Sequence, residues 1–389
     1  MPVEAKVLIV DDNERNRKIL REVVLNLGHN PLFAENGHIA IDKIMSDTPD
    51  IVLLDIFMPE MDGYEVLARM KGDSALKNIP VIMITAFDDM NSVVRCIEQG
   101  ADDYLVKPFN HELLKARIKG SLEKKLLNDK NRELLVKVLA QQDQIEEALA
   151  IARNVQEAML PAEEQLKQFK NVRIDTFYRA ATSIGGDFYH VFEYGDNRVA
   201  FFIADISGHG PAAALIVAAL KTVIENERAH CPDPDQFINI INRTLIKVVP
   251  ESYFATLFFC VADFSDNSLT YCLAGHPSPI LMGEKYENPI LFKTNGGPVG
   301  FIESMEFNQD KIKFSTGDKL FLYSDGLFEM RGTDEEIYGM ERLADKVDSL
   351  KNKDGKTIIE TLVKEVDLFW NGNSDCDDVA IIVVEFTCP

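Results

Sequence analysis

Four acidic clusters are spread along the C-terminal half of the chain: GGDFY at Gly185 to Tyr189, ADISGHG at Ala204 to Gly210, YSDG at Tyr323 to Gly326 and CDDVAIIVV at Cys376 to Val384. Each sets a carboxylate at the start or the end of an apolar run that reads as a strand. Carboxylates gathered from strand ends repel one another and lose hydration unless a cation neutralises them. Several such clusters in one domain therefore point to a hard-metal site. Taken singly, Asp-Gly and Gly-Asp are ordinary turn pairs. All four in this order, with a GHG turn after the second, exceed what turns require. A second constellation occupies the N-terminal third: Asp11 and Asp12, Asp55 in LLDIFMPEMDGYE, Thr85, and Lys107-Pro108.

These residues need elements to bring them together. Over the first 120 residues, apolar runs at Val7 to Val10, Ile51 to Leu54 and Val81 to Ile84 alternate with helical patterns such as Ile19, Val23 and Leu27. Strands separated by helices make βαβ units and a parallel, doubly wound α/β sheet. Ligands bind such sheets beyond the carboxyl ends of the strands, where Asp11, Asp12, Asp55 and Thr85 fall. From His111 the pattern turns helical, with no Gly or Pro between Gly120 and Pro161. Leu135, Val138, Gln142, Ile145, Leu149, Ala152, Gln156 and Met159 follow alternating steps of three and four, a heptad seam interrupted by its two glutamines. Either a two-stranded coiled coil joins two protomers here, or one amphipathic helix lies on a neighbouring domain; length and charged flanks favour the coil.

After Pro161 come short strands at Arg173 to Tyr178, Arg198 to Ile203, Thr256 to Val261, Leu269 to Leu273, Lys319 to Tyr323 and Val379 to Glu385. Helical stretches at Pro211 to Arg228, Asp235 to Val248 and Thr357 to Phe369 interrupt them, as in an α+β domain of stacked sheets. The expected organisation is multidomain: 1–120, a helical coiled-coil linker over 121–160, and 161–389.

With 389 residues the chain exceeds one ordinary core, and its 46% hydrophobic content is that of a globular protein. No apolar run is long enough to span a bilayer, and MPVEAKVLIVDD is no signal segment, so a cytoplasmic protein without membrane partners is expected. A net charge of −22 argues against nucleic acid as the main partner. The six cysteines (Cys96, Cys231, Cys260, Cys272, Cys376, Cys388) lack CxxC or CxxH spacing and read as buried thiols.

The ordered set Asp11, Asp12, Asp55, Thr85 and Lys107, over roughly Lys6 to Lys119, resembles the receiver domain of two-component response regulators, a flavodoxin-like fold. In such chemistry adjacent carboxylates bind Mg2+, which neutralises charge as a phosphoryl group arrives in line on a third carboxylate. The resemblance implies Asp55 as phosphoacceptor, Asp12 as a direct metal ligand, Asp11 as a supporting one and the Phe57 carbonyl as another. It likewise implies that Lys107 pairs with phosphoryl oxygens, that the Thr85 hydroxyl moves toward one of them, and that Tyr104 is the switch aromatic. A sensor histidine kinase or phosphotransfer protein would be the donor. Phe57 departs from the polar residue common in the family at that place, close to where water attacks.

The segment from about Asn154 to Phe386 resembles the SpoIIE-like branch of the PPM-type serine/threonine phosphatases, supported by ARNVQEAMLP, AGHPSP and GGPVG. That resemblance implies a β-sandwich flanked by helices and a two-metal site that acidifies water and clamps the phosphoryl oxygens without a nucleophilic side chain. Asp205 would bridge both ions, Asp187 and the Ile206 carbonyl would hold one side, and Asp325 and Asp377 the other, with Asp377 ranked ahead of the adjacent Asp378. Oxygen-only ligation favours Mn2+ or Mg2+. His209 reads as a turn histidine rather than a ligand, whereas His276 fits substrate positioning and a structural role equally. Gly185, Gly186, Gly208 and Gly210 read as close backbone approach or positive φ. The resemblance further implies a phosphorylated STAS-domain (anti-anti-sigma) protein as substrate in partner switching, and a homodimer. A catalytically silent scaffold that sequesters a partner is the alternative.

Overall fold

The structure, a computed structural model, describes residues 4–86, 90–108, 110–208, 210–230, 232–250, 252–294, 296–332, 336–371 and 377–387. The chain forms two compact units, Met1–Gln142 and Asp143–Pro389. The first contains β1 (Lys6–Val10), α1 (Glu14–Asn26), β2 (Asn30–Ala34), α2 (Gly37–Asp47), β3 (Ile51–Asp55), α3 (Gly63–Gly72), β4 (Val81–Thr85), α4 (Met90–Glu98) and β5 (Asp103–Val106), and then α5 (His111–Glu157) begins. The strands make one parallel sheet in the order β2-β1-β3-β4-β5. Alternate residues of β1 enter opposite cores: Leu8 and Val10 meet Ile44, Val66 and Met70, while Val7 and Ile9 meet Leu20, Val24, Leu114 and Ile118. A strand buried on both faces must be apolar throughout, which is why VLIV, IVLL and VIMI carry no polar residue until the carboxyl end. The order reverses between β1 and β3, so their ends open the crevice where a ligand binds.

In the second unit α6 (Glu163–Leu166) and β6 (Val172–Arg179) precede β7 (Phe188–Glu193), β8 (Arg198–Ile206), α7 (Pro211–Glu227) and α8 (Pro234–Val248). Then follow β9 (Ala255–Asp263), β10 (Ser268–Ala274), β11 (Ile280–Met282), β12 (Ile290–Leu291), β13 (Asp310–Lys313), β14 (Lys319–Tyr323), α9 (Met340–Ser349), α10 (Gly355–Trp370) and β15 (Val379–Phe386). Two five-stranded antiparallel sheets result, β13-β10-β9-β8-β7 and β12-β11-β14-β15-β6. Phe201 and Ile203 of β8 interdigitate with Leu320, Leu322, Ala380 and Ile382 of the facing sheet. On the outer face of β8, Ala200, Phe202 and Ala204 pack under Val217, Leu220, Phe237 and Ile241 of α7 and α8. Phe321, Ile381 and Val383 do the same under Leu343, Ile358 and Leu362 of α9 and α10. The layers are helix, sheet, sheet, helix.

The long helix expected from His111 is present as α5. Residues 131–148 of it are exposed, including Leu135, Val138 and Ile145 of the heptad seam. The last seam positions differ from expectation. Gln156 is buried and Met159 packs against the core under α7 and α8, so this end is covered by the unit's own chain rather than left for a partner. Among the described cysteines, Cys96, Cys260 and Cys272 are buried free thiols, as expected; Cys231, Cys376 and Cys388 lie outside the described residues. No helix among the described residues is long and apolar enough to cross a membrane.

Candidate functional site

Both sheets of the second unit deliver acidic positions to the same end of the sandwich, two from one sheet and three from the other. Phe188 of β7 pairs with Ala204 of β8, which sets Asp187, just before β7, next to Asp205 near the end of β8. Tyr323 of β14 pairs with Ile381 of β15, and Ser324 N–H donates to the Ala380 carbonyl at 3.0 Å. That register places Asp325, just past β14, beside Asp377 and Asp378, just before β15. The sheets are tied at this end. His276 accepts from the Thr256 hydroxyl of β9 at Nδ1 (3.0 Å) and donates from Nε2 to the Tyr323 carbonyl of β14 (3.1 Å). Burial holds its pKa down to about 3, so it is a neutral strut, and the structural reading of this histidine prevails.

Asp187 is 1% exposed, and neither carboxylate oxygen has a hydrogen-bond partner. Its pKa is pushed well up, by burial first and by Asp205 next, with Asp378 and Asp325 adding; Ser324 is the one opposing neighbour. That hydroxyl, however, is engaged elsewhere, donating to the Asp378 carbonyl at 3.3 Å and accepting from Ala380 N–H at 2.8 Å. Burial, Asp325 and Asp377 raise Asp205 to about 8; burial, Asp377 and Glu329 raise Asp325 to about 6. None of the ion pairs among the described residues involves these three carboxylates. A buried carboxylate with both oxygens unpaired, among others repelling it, is the donor set that a hard cation neutralises. Among the described residues, no three carboxylates of this cluster have ligand atoms within 4.8 Å of one another, so the cluster is broader than a single-ion pocket.

The adjacent aspartates divide their tasks. Asp378 is 3% exposed and accepts from Ala181 N–H at 2.7 Å and from Gly186 N–H, so both its oxygens fasten backbone. Asp377 is exposed and accepts from Asp378 N–H at 2.8 Å, and its charge helps to raise both Asp205 and Asp325. This favours the order in which Asp377 precedes Asp378 as a ligand. A Cβ on Gly186 would stand 2.7 Å from the Ile206 carbonyl, and one on Gly185 2.5 Å from the Tyr178 hydroxyl, while Gly208 and Gly210 both have φ of +87°. Close approach explains the first pair and positive φ the second. His209 lies outside the described residues.

The first unit assembles its own pocket. Ligand atoms of Asp11, Asp12 and Asp55 all lie within 4.8 Å of one another, with Asp11 and Asp55 buried and Asp12 exposed. Lys107, just past β5, reaches Asp11 at 2.8 Å and Asp55 at 3.0 Å. Burial raises Asp55 to about 6, with Asp11 and Asp12 adding, against the pull of Lys107. Thr85 is buried at the end of β4, Tyr104 on β5 is half-buried against the core under α2 and α3, and the Phe57 side chain is 55% exposed. All the sequence-predicted positions of this half therefore sit at the carboxyl edge except Tyr104, which lies one strand-step below. Local capping shapes the rim: Asp62 and Glu65 form a capping box (2.8 and 3.1 Å) that starts α3 directly after the Asp55 loop.

Sequence reasoning missed several residues. Asn16 donates to both Asp11 oxygens at 3.1 Å, one turn into α1. Asn242 of α8 holds the Gly300 loop, accepting from Gly300 N–H at 2.7 Å and donating to the Ile302 carbonyl at 3.0 Å. Gln156 binds both backbone groups of Gly185. Only the motif ARNVQEAMLP marked that glutamine, and periodicity assigned it elsewhere.

Residues 7–119 match the response regulator receiver domain family, and residues 195–387 match the family described as stage II sporulation protein E (SpoIIE). Asp187 precedes the second match. Protein IcfG of Synechocystis sp. is 29% identical over 261 residues, covering 60% of this chain and 40% of that protein. The probable transcriptional regulator ycf27 of Guillardia theta is 40% identical over 124 residues, covering 32% of this chain and 48% of its own length. The chain thus spans less than half of either relative. The SiaA-PP2C domain of Pseudomonas aeruginosa superposes with a TM-score of 0.57 at 19% identity, covering 64% of this chain and 99% of that domain, a likeness of fold.

Proposed function

Because the chain joins a response regulator receiver domain to a domain of the SpoIIE family with a PP2C-type fold, we propose that it is a phosphorylation-controlled protein serine/threonine phosphatase. The assignment takes 1–120 as receiver, 121–160 as linker and 161–389 as output. The observation that carries the activity is the buried, unpaired carboxylate of Asp187 facing Asp205 and Asp325 with no basic partner among the described residues. Asp205 would bridge two divalent cations, with Asp187 and the Ile206 carbonyl on one side and Asp325 and Asp377 on the other. Mn2+ or Mg2+ bound there supplies charge neutralisation for the phosphoryl oxygens and acidifies the attacking water. Two serine hydroxyls beside the cluster are tied to backbone groups. Ser207 accepts from Phe254 N–H at 2.8 Å, and Ser324 accepts from Ala380 N–H and donates to the Asp378 carbonyl, an arrangement that supports water rather than a serine as the nucleophile.

Asp55 takes the phosphoryl group from a histidine kinase or phosphotransfer protein, with Mg2+ held by Asp11, Asp12 and the Phe57 carbonyl. Lys107 and Thr85 then bind the phosphoryl oxygens, and Tyr104 follows Thr85. The substrate is a phosphoserine or phosphothreonine STAS-domain protein in a partner-switching pathway, and the protein pairs as a homodimer through the exposed stripe of α5 at Leu135, Val138 and Ile145. The test incubates the full chain with such a phosphorylated partner, with and without Mn2+ and acetyl phosphate. Manganese-dependent phosphate release that changes with acetyl phosphate supports the reading. Stable partner capture without phosphate release would replace it with the silent scaffold.

A further inference from the structure

The C-terminal end of α5 carries a side chain whose surroundings differ from those of every residue in the helix's exposed middle. Gln156 is 4% exposed, and a buried primary amide is costly unless both its ends are satisfied. Both are satisfied by one residue: Nε2 donates to the Gly185 carbonyl at 2.7 Å, and Oε1 accepts from Gly185 N–H at 3.2 Å. Two-point pairing of this kind fixes the orientation of the backbone as well as its position. Gly185 has no room to settle elsewhere, since even a Cβ there would stand 2.6 Å from the Asp378 carboxylate. The next residue, Gly186, donates its N–H to Asp378. The one after that is Asp187, whose oxygens are buried and unpaired. Residues 185 and 186 are therefore pinned, one by the helix and one by the sheet, so that the third presents its carboxylate without any bond of its own.

We propose that Gln156 is a positioning residue for cation binding at Asp187: α5 holds the Gly185 backbone in place, and with it the carboxylate two residues on. The inference rests on the reading of Asp187 as a cation ligand. Groups that orient a ligand from outside the coordination sphere typically change metal affinity 10–100-fold when removed. Arg153, three residues earlier, donates to the Thr182 carbonyl at 3.0 Å from an exposed position and does not reach the 185–187 segment, so it serves as a contrast on the same helix.

The experiment measures Mn2+ binding to the full chain by the electron paramagnetic resonance signal of free Mn2+, in an Asp12→Ala background that disables the receiver's cation pocket. Relative to that parent, Gln156→Ala and Gln156→Glu should each weaken Mn2+ binding by about 10-fold or more. Gln156→Glu keeps the shape but replaces the donor to the Gly185 carbonyl with an anionic oxygen, and Gln156→Ala removes both bonds without adding charge. Arg153→Ala should stay within about 2-fold, and excess Mn2+ should restore kcat in the glutamine variants. Folded glutamine variants with parental affinity would overturn the inference, as would failure of both to fold, which would make Gln156 a structural residue. A parent whose Mn2+ binding is unchanged by Asp187→Asn would instead overturn the underlying reading of the site.

Discussion

The two acidic centres of this chain solve the same electrostatic problem in different ways. In the receiver, Asp11 and Asp55 are buried beside an internal cation: Lys107 lies 2.8 Å from one and 3.0 Å from the other. Asn16 adds two hydrogen bonds to Asp11, and Asp55 rises only to about 6. In the C-terminal unit, Asp187 has no partner, Asp205 rises to about 8, and the charges nearest it are acidic. On the proposed function, a built-in lysine would let the first pocket stand ready for a phosphoryl group that arrives and leaves. Without one, the second centre would, on the proposed function, depend on cations from solution.

The sharpest way to break this comparison is to neutralise one acid in each centre. Asp205→Asn should lower phosphoester hydrolysis by about 1,000-fold or more while leaving acetyl phosphate labelling of Asp55 intact. Asp55→Ala should do the reverse, abolishing labelling while basal hydrolysis persists. Phosphate release and radiolabel retention read the two outcomes, and labelling that survives Asp55→Ala would show a different acceptor. A smaller effect separates the neighbouring aspartates. Asp378→Asn removes a carboxylate bound to two backbone amides and should lower stability by about 1–3 kcal/mol in urea unfolding. Asp377→Asn should leave the unfolding midpoint nearly unchanged and reduce turnover instead.

A further prediction is a pH dependence of the metal-free protein. Burial and acidic neighbours raise Asp205 to about 8 and Asp325 to about 6, so the folded state binds their protons more tightly than the unfolded chain does. The stability from those protons is fully present below the ordinary carboxylate range and is lost as pH rises through about 6 and then about 8. Chelator-treated protein should therefore melt at progressively lower temperature from acid to pH 8.5 or so. Saturating Mn2+ should suppress that decline. A flat melting profile without metal would mean that the cluster is not strained by its own charge.

Much of this was legible in the sequence because the relevant signals are local. Apolar runs buried on both faces announce β1, β3, β4, β8 and β15; the acidic or hydroxyl residue that marks the candidate site follows the apolar run in the first four and precedes it in β15. β7 was signalled only by the GGDFY cluster at its start and given no bounds, because FYHVFE is short and carries a histidine and a glutamate, although it is the strand that fixes Asp187. α9 escaped as well, its MERLADKVDS showing only two buried residues, Leu343 and Val347. Gln156 shows the deeper limit. Heptad spacing reports which residues share a face of a helix and is silent about whether that face meets a partner or the chain's own fold. The division between Asp377 and Asp378 was equally hidden, since it depends on amides of Ala181 and Gly186 that are remote in sequence.

The most direct test of the C-terminal centre is to follow phosphate release from a phosphoserine substrate as Mn2+ is titrated into the chelator-treated full chain, with Mn2+ occupancy measured in parallel for the native and Asp205→Asn proteins. The account predicts that release rises with occupancy of a site that Asp205→Asn abolishes, and that no release occurs without a divalent cation. Release that is unaffected by chelation, or that survives Asp205→Asn at saturating Mn2+, would contradict it.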